Sequence, residues 1–512
     1  MGAVLPTVDG MCGIAAQHRT DSTPDLDAGT RMLLALAHRG PDDSDHRTVG
    51  EHAWLGHTRL SIVDLDGGRQ PLTAPDGWSL VCNGEIYNHE QVRAELGGAV
   101  FGTASDSEAA LALLRTGGPA ELHRLRGMWA LCAAAPDGRF VAARDPLGIK
   151  PLYWARRGAA VHFASELRAF PAEVQDAVES FPPGCYWTPE AGVVRFATAV
   201  PAADPAVWEG IAPEVAEKAT REALVDSVRR HLMADVEVGV FLSGGLDSSL
   251  VAAIAAEHCA ERGRRLKTFA VGTEGSADLL AARAAAEHLG TEHHEAVFTA
   301  REAIEVLDEV VASVESFDAS LIRSAVPNWF LSELASRHVK AVLTGEGADE
   351  LFAGYSYYHA EHATGLDAEL VRTLEELHGL NLQRCDRVTM AHGLEARVPF
   401  LDAEVIAHAT ALPAAYKALE PDGMEKGHLR RAFTGWLPEE LLWRRKEQFG
   451  TGSGAQDLLS PYWADRVPDA DLAAAADALG VRTKEELAYY RVFRRALPAV
   501  RPDRVLTRFA TA

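Results

Sequence analysis

The sequence predicts a multi-domain α/β protein, and three observations carry that prediction. The chain has 512 residues, 47% of them hydrophobic, which is more than a single core usually organises. Its patterning changes near residue 200, from short strand-like runs to alanine-rich helices alternating with apolar strands. A β-branched run, Val236-Glu237-Val238-Gly239-Val240-Phe241-Leu242, leads through Ser243-Gly244-Gly245-Leu246-Asp247-Ser248-Ser249 into the helix-like Leu250–Ala256.

Before residue 195 the strand candidates include Ala53–His57, Trp78–Cys82 and Arg139–Ala143. They are separated by Asp-Gly, Gly-Gly and Pro-Asp turn signals. Val200-Pro201-Ala202-Ala203-Asp204-Pro205 reads as an interdomain linker. Beyond it, strands at Lys267–Val271 and Val339–Leu343 between helical stretches predict a doubly wound parallel sheet. The alanine-rich tail after residue 470 reads as helical and peripheral, and no repeat or low-complexity segment is visible.

A net charge of -23 argues against a nucleic-acid partner, whose phosphates need a basic surface. The six cysteines are scattered, with no C-x-x-C pair, which predicts free thiols in a reducing compartment. No apolar run is long enough to span a bilayer, and the first residues carry no secretory h-region. The expectation is a cytoplasmic enzyme with small-molecule substrates and no membrane partner; a homodimer stays open as its assembly.

The Ser243–Ser249 turn presents free backbone N–H groups and a positive dipole end to an anion. Its serine hydroxyls add donors, and Asp247 is placed to hold Mg2+ beside phosphates. It lacks the lysine of a Walker loop, so γ-phosphoryl transfer is not the expected chemistry. The turn resembles the pyrophosphate-binding loop of the ATP pyrophosphatases, which split ATP into AMP and pyrophosphate.

Met11-Cys12 is the second chemical signal. Removing the methionine would leave Cys12 with a free α-amine, whose ordinary pKa of about 7.7–8.0 lets it act as base toward its own thiol. His38-Arg39-Gly40-Pro41-Asp42-Asp43, Arg59–Asp64, Asn83–His89, Ser105–Glu108, Arg144–Tyr153 and Ala164–Leu167 follow in order. Together these resemble the glutaminase domain of the class II, N-terminal-nucleophile amidotransferases. The resemblance implies an αββα domain in which Cys12 attacks the glutamine amide. It places Asn83 and the Gly84 N–H at the oxyanion. It gives Arg59 to the glutamine α-carboxylate, and Asp106 to the α-ammonium with help from Glu85, Ile62 and Val63. Read singly, Asn83-Gly84 is a hairpin turn and Arg59 and Asp106 are surface charges. The ten residues Met1–Gly10 depart from the family pattern, and a translation start at Met11 is the expected explanation.

In the second half His231–Val236, Phe269–Gly272 through Leu279, His288–His294 and Ser316–Arg323 occur in order. Leu343–Tyr355, Glu395–Asp402 and Trp443–Phe449 complete the set. With the first half they resemble the glutamine-hydrolysing asparagine synthetases, from Met11 to about residue 455. The resemblance implies a glutaminase domain over 12–200 and an ATP-pyrophosphatase-type synthetase domain over 214–512. It gives Ser243, Gly244, Gly245, Asp247 and Ser248 to the ATP phosphates, and Leu242, Val271, Thr344 and Gly345 to adenosine. Asp247 and Asp349 become the Mg2+ ligands. Lys446, beside the glycine-rich Phe449–Gly454 that reads as a mobile loop, neutralises charge as pyrophosphate leaves. Arg323 and Glu346 stand nearest the acceptor, with Arg323 gripping its carboxylate in bidentate fashion. His293 and His294 lack further ligands at useful spacing and read as structural.

The implied reaction uses ATP and Mg2+ to adenylate aspartate, and ammonia from glutamine converts the adenylate into asparagine. The alternative is a related amidotransferase of specialised metabolism that acts on another carboxylate. A β-lactam synthetase is disfavoured, because that family lacks the cysteine and carries tyrosine where Glu346 stands. A non-catalytic binding protein would have to keep every motif without using it.

Overall fold

The computed structural model describes residues 12–97, 101–202, 204–208, 210–359 and 365–508. Ahead of residue 200 lie β1 (Gly13–Arg19), β2 (Asp43–Val49), β3 (Ala53–Arg59), β4 (Leu72–Thr73), β5 (Ser79–Ile86) and β6 (Gly127–Ala134). They are followed by β7 (Phe140–Arg144), β8 (Tyr153–Arg157), β9 (Ala160–Ala164), β10 (Val178–Ser180), β11 (Cys185–Thr188) and β12 (Gly192–Arg195). They form two six-stranded sheets, in the orders β10-β8-β9-β1-β3-β2 and β12-β11-β7-β6-β5-β4.

Strand alternation explains why these sheets stack. In β6, Ala130, Cys132 and Ala134 face the layer between the sheets, whereas Trp129, Leu131 and Ala133 face the other way. Ile14 and Ala16 of β1 likewise enter the inter-sheet core, with Val81, Phe140, Phe163 and Trp187. Outside, the Leu26–Ala35 helix packs Met32 and Leu33 with Ala15 and Trp54 on the first sheet. The Glu108–Gly117 helix packs Leu111 and Leu114 on the second. The layers are helix, sheet, sheet, helix, the αββα order.

The second half is built on β13 (Val238–Phe241), β14 (Lys267–Gly272), β15 (Glu292–Val297), β16 (Ala341–Leu343) and β17 (Glu395–Arg397). All pairings are parallel, in the order β15-β14-β13-β16-β17. From β13 the chain winds outward through β14 and β15, then returns to β16 on the other side. The loops after β13 and β16 therefore open at the switch point where doubly wound sheets bind ligands.

Two expectations are corrected here. The tail beyond residue 470 is helical, but the Lys484–Ala496 helix is not peripheral: Leu487, Tyr489 and Phe493 join the main core. Phe449–Gly454 is not an irregular loop, because Phe449–Gly452 forms a helical turn that leads into the Ala455–Arg466 helix. Two of its glycines are packed: a Cβ on Gly452 would meet the Asp278 carboxylate, and one on Gly454 the Thr273 hydroxyl, each at 2.5 Å.

The sheet sandwich and the parallel-sheet half meet across buried charges. Arg39 pairs with Glu166 at 2.9 Å and with Asp386 at 2.9 and 3.2 Å. Arg387 lies 3.1 Å from both Glu166 and Glu315, and Lys150 lies 3.4 Å from Glu395. Arg387 is 1% exposed, so removing its charge leaves two carboxylates desolvated and underpaired. Arg387→Met should therefore lower the stability by about 3–5 kcal/mol. A melting curve indistinguishable from that of the unaltered chain would contradict this.

Candidate active sites

Cys12 immediately precedes β1, half-buried, with its Sγ 3.7 Å from the Leu60 carbonyl oxygen. Its own carbonyl accepts from Arg39 Nε at 3.1 Å, which fixes the backbone at the nucleophile. Burial pushes the thiol up to about 12, with Glu395 and Glu85 adding to the rise and Arg59 opposing it. A thiol held protonated in this way needs a base close by.

Asn83 does not sit in a hairpin turn. It lies inside β5, opposite Ala130, on the same side of the strand as Val81. Both its Oδ1 and Nδ2 are buried and take no protein partner among the described residues. A buried amide left unspent is costly unless something else meets it, and an oxyanion would. Gly84 follows at φ +133°, where a Cβ would fall 1.9 Å from the Met128 carbonyl oxygen, so only glycine fits.

Arg59 ends β3, buried rather than on the surface. Its guanidinium donates to the carbonyl oxygens of Leu65 at 3.1 Å and Asp64 at 2.7 Å, which also pins the loop bearing Ile62 and Val63. Asp106 accepts from the Ile86 N–H at 2.6 Å. Burial lifts its carboxyl to about 6, against the pull of the Ile86 and Ser107 N–H groups. Glu85, expected to help at the glutamine α-ammonium, is buried next to Asp106. It lies 3.4 Å from Arg397, and burial with Asp106 and Glu395 nearby drives its carboxyl well above the usual range.

The second site is a cavity of about 500 Å³ at the switch point of the parallel sheet. Leu242, Ser243, Gly245, Asp247, Ser248, Val271, Arg323, Thr344, Gly345, Glu346, Asp349 and Lys446 all line it, so sequence-distant residues are brought together as expected. Gly244 is the exception. At φ +71° it lies under the Ala277–Leu289 helix, where a Cβ would come within 2.4 Å of the Ala281 backbone. The Leu246–Ala260 helix has glycine (Gly245) at its N-cap and no side-chain cap hydrogen bond among the described residues, which leaves its first N–H groups to a ligand. Gly345 approaches so closely that a Cβ would meet Asp247 Cβ and Ser248 N at 2.9 Å.

Asp247 and Asp349, far apart in sequence, are joined by a lysine that the motifs did not single out. Lys426 Nζ reaches Asp247 at 2.6 Å and Asp349 at 2.5 Å, and Lys446 Nζ reaches Asp349 at 2.5 Å. Despite their cost of burial, the two ammonium groups hold the Asp349 carboxyl far below the carboxylate range. Asp247 and Asp349 are hard oxygen donors of the kind Mg2+ takes, and here the Lys426 ammonium stands between them. Lys446 itself lies in the irregular stretch 444–448, just ahead of the Phe449–Gly452 helical turn, and its Nζ is held there by the ion pair with Asp349.

The acceptor end also departs from expectation. Arg323, expected to take a substrate carboxylate, has its Nε and Nη2 held by Glu485 Oε2 at 3.0 and 2.6 Å. Glu346 is paired with Arg384. Beside it Tyr355 donates to Glu350 at 2.8 Å, and burial next to Asp349 raises the Glu350 carboxyl. Glu350 was visible in the Gly345–Tyr355 motif without an assigned role; Lys426, Arg384 and Glu485 carried no sequence signal. His293 pairs with Thr268 and Glu295, and His294 stacks on His338. Met1–Gly10 and Met11 lie outside the described residues. No described helix is long and apolar enough to cross a membrane.

Comparison with known proteins matches the glutamine amidotransferase domain model to residues 11–185 and the asparagine synthase model to 219–366 and 360–508. Asparagine synthetase B [glutamine-hydrolyzing] of Escherichia coli is 38% identical, over 94% of this chain and 90% of that protein. A probable asparagine synthetase of Schizosaccharomyces pombe is 39% identical, over 97% and 95%. The Sandersonia aurantiaca asparagine synthetase is 38% identical, over 96% and 97%.

The Asp106 environment predicts a pH dependence. A carboxyl with pKa about 6 is anionic above that value and loses its hold on an ammonium group below it. Glutamine binding to Cys12→Ala should be flat between pH 7 and 8 and weaken about tenfold per unit below pH 6. Asp106→Asn should bind weakly at every pH. Calorimetry showing undiminished affinity at pH 5 would contradict the assignment.

Proposed function

We propose, for a chain that belongs to the asparagine synthase family of ATP-dependent ligases and carries its glutamine amidotransferase domain, that the two sites act in sequence on one nitrogen atom. Residues 12–200 release ammonia from glutamine, and residues 214–512 amidate aspartate. The observation that carries this reading is the presence in one chain of a half-buried Cys12 thiol with an unspent buried Asn83 amide in the same domain, and a phosphate-loop cavity lined by Glu346 and Lys446.

In the first half Cys12 Sγ attacks the glutamine amide carbon, and its proton passes to the α-amine of Cys12 itself. That base exists once the Met11–Cys12 bond is cleaved. Asn83 Nδ2 and the Gly84 N–H receive the oxyanion, ammonia leaves, and water hydrolyses the γ-glutamyl thioester to glutamate. Arg59 takes the substrate α-carboxylate and Asp106 its α-ammonium.

In the second half the serine loop and the N-terminus of the Leu246–Ala260 helix hold the phosphates of ATP. Asp247 and Asp349 would hold Mg2+, which supplies charge neutralisation at the phosphates. The aspartate β-carboxylate attacks the α-phosphorus, forming β-aspartyl-adenylate and releasing pyrophosphate, whose charge Lys446 offsets. Ammonia then attacks the acyl carbon, Glu346 accepts a proton as the amide forms, and AMP leaves. The setting of this reading is the cytoplasm.

A second reading, amidation of a different carboxylate, is favoured by one feature: Glu485 already neutralises Arg323 in the acceptor end of the cavity. Product analysis with a panel of amino and dicarboxylic acids decides between them.

Cys12→Ala should abolish glutamine-dependent amide formation, at least a thousandfold, while leaving synthesis from ammonium salts within about twofold. The chain that hydrolyses glutamine should begin at Cys12 by intact mass. Loss of both activities in a folded Cys12→Ala chain, or ADP in place of AMP as product, would contradict the division of labour.

A further inference from the structure

The acceptor end of the cavity is formed by one face of the Ala319–Ser336 helix, whose Ser320, Arg323, Ser324, Asn328 and Leu331 recur at helical spacing in its wall. Arg323 is the cation of that face, and its guanidinium is not left to find its own orientation. Glu485, at the start of the Lys484–Ala496 helix, takes the Nε–Nη2 edge at 3.0 and 2.6 Å. Glu485 is itself immobilised. Its Oε1 accepts from the Tyr489 hydroxyl at 2.8 Å, its Oε2 accepts from the Ser460 hydroxyl at 3.2 Å, and the residue is 3% exposed. A neighbouring pair, Arg482 on Asp318 at 3.0 Å, docks the same C-terminal segment on the N-terminus of the Arg323 helix.

A guanidinium has two forked edges. With the Nε–Nη2 edge occupied, Arg323 keeps its Nη1–Nη2 end, where Nη1 has no protein partner among the described residues. We propose that Glu485 is a positioning residue for the acceptor: it clamps Arg323 so that this second edge meets the carboxylate of the incoming amino acid, making the C-terminal helix part of the substrate site. Glu485, Ser460 and Tyr489 touch neither ATP nor the reacting carboxylate. They act through Arg323 by spending in advance the entropy of ordering its long side chain. The proposal rests on the reading of Arg323 as the acceptor's partner.

Ammonium-dependent synthesis at saturating ATP isolates this role from glutamine hydrolysis. Glu485→Gln removes the charge-assisted pair and should raise the KM for aspartate at least tenfold, with kcat and the KM for ATP within twofold of the unaltered enzyme. Glu485→Asp should recover part of the loss. If Glu485→Gln does not fold, Tyr489→Phe and Ser460→Ala each remove one support and should raise the same KM about two- to fivefold. An acceptor KM that is unchanged or lower in folded Glu485→Gln, or unchanged in both supporting variants, overturns the proposal. So does a parallel rise in the ATP and acceptor KM values, which marks a general structural defect. Arg323→Ala separates the two levels. If it leaves the acceptor KM unchanged, the reading of Arg323 fails and the proposal with it. If it raises that KM while Glu485→Gln does not, the clamp alone is wrong.

Discussion

Everything in this molecule depends on charges buried where its two halves meet. Arg39, Glu166, Glu315, Asp386, Arg387, Glu395 and Arg397 are each at most 6% exposed, and each finds its counter-charge among them. Removing such groups from water costs several kcal/mol apiece, and pairing offsets this only when the geometry is good. Here the partners come from both sides of the junction. Glu315 also accepts from the Leu167 and Arg168 N–H groups at 2.9 and 2.8 Å. Arg39–Asp386 and Arg387–Glu166 cross the junction, while Arg39–Glu166, Arg387–Glu315 and Arg397–Glu395 lie within one half, so the crossing pairs tie two internally braced charge clusters into one register, as apolar contacts alone would not enforce.

That register fixes both reaction centres. Arg39, which spans the junction to Asp386, also binds the Cys12 carbonyl. Asp386 belongs to the Asn381–Ala391 helix, and two residues earlier the same helix presents Arg384 to Glu346 in the second cavity. One helix is thus tied to both sites, and on our reading this is the arrangement within which nitrogen released at Cys12 reaches the acyl-adenylate. The helix is built for this: Arg384, Asp386 and Arg387 are buried although charged.

Much of this was legible in the sequence where local chemistry and local structure coincide. The Ser243–Ser249 turn lies between strand and helix as its residues required, and the Cys12, Arg59, Asn83 and Asp106 set lies in one half of the molecule. What escaped were residues whose meaning comes from tertiary partners. Lys426 looks like any lysine until it bridges Asp247 and Asp349. Glu485 sits in a stretch that reads as a solvated helix until it takes Arg323. The glycines of 449–454 suggested mobility, yet Gly452 and Gly454 are small because Asp278 and Thr273 press against them. Asn83-Gly84 looked like a turn by composition, and its place in mid-strand is set by pairing with β6.

The central claim is that the nitrogen passes between the two sites without leaving the protein. It is tested most directly by supplying glutamine labelled with 15N in its amide together with a large excess of unlabelled ammonium, and weighing the product. The account predicts that the amide formed carries mostly 15N, and that Asp386→Asn, which loosens the junction, lets unlabelled nitrogen in. Product whose isotope ratio simply follows that of the bulk ammonium, in the unaltered enzyme with saturating glutamine, would contradict it.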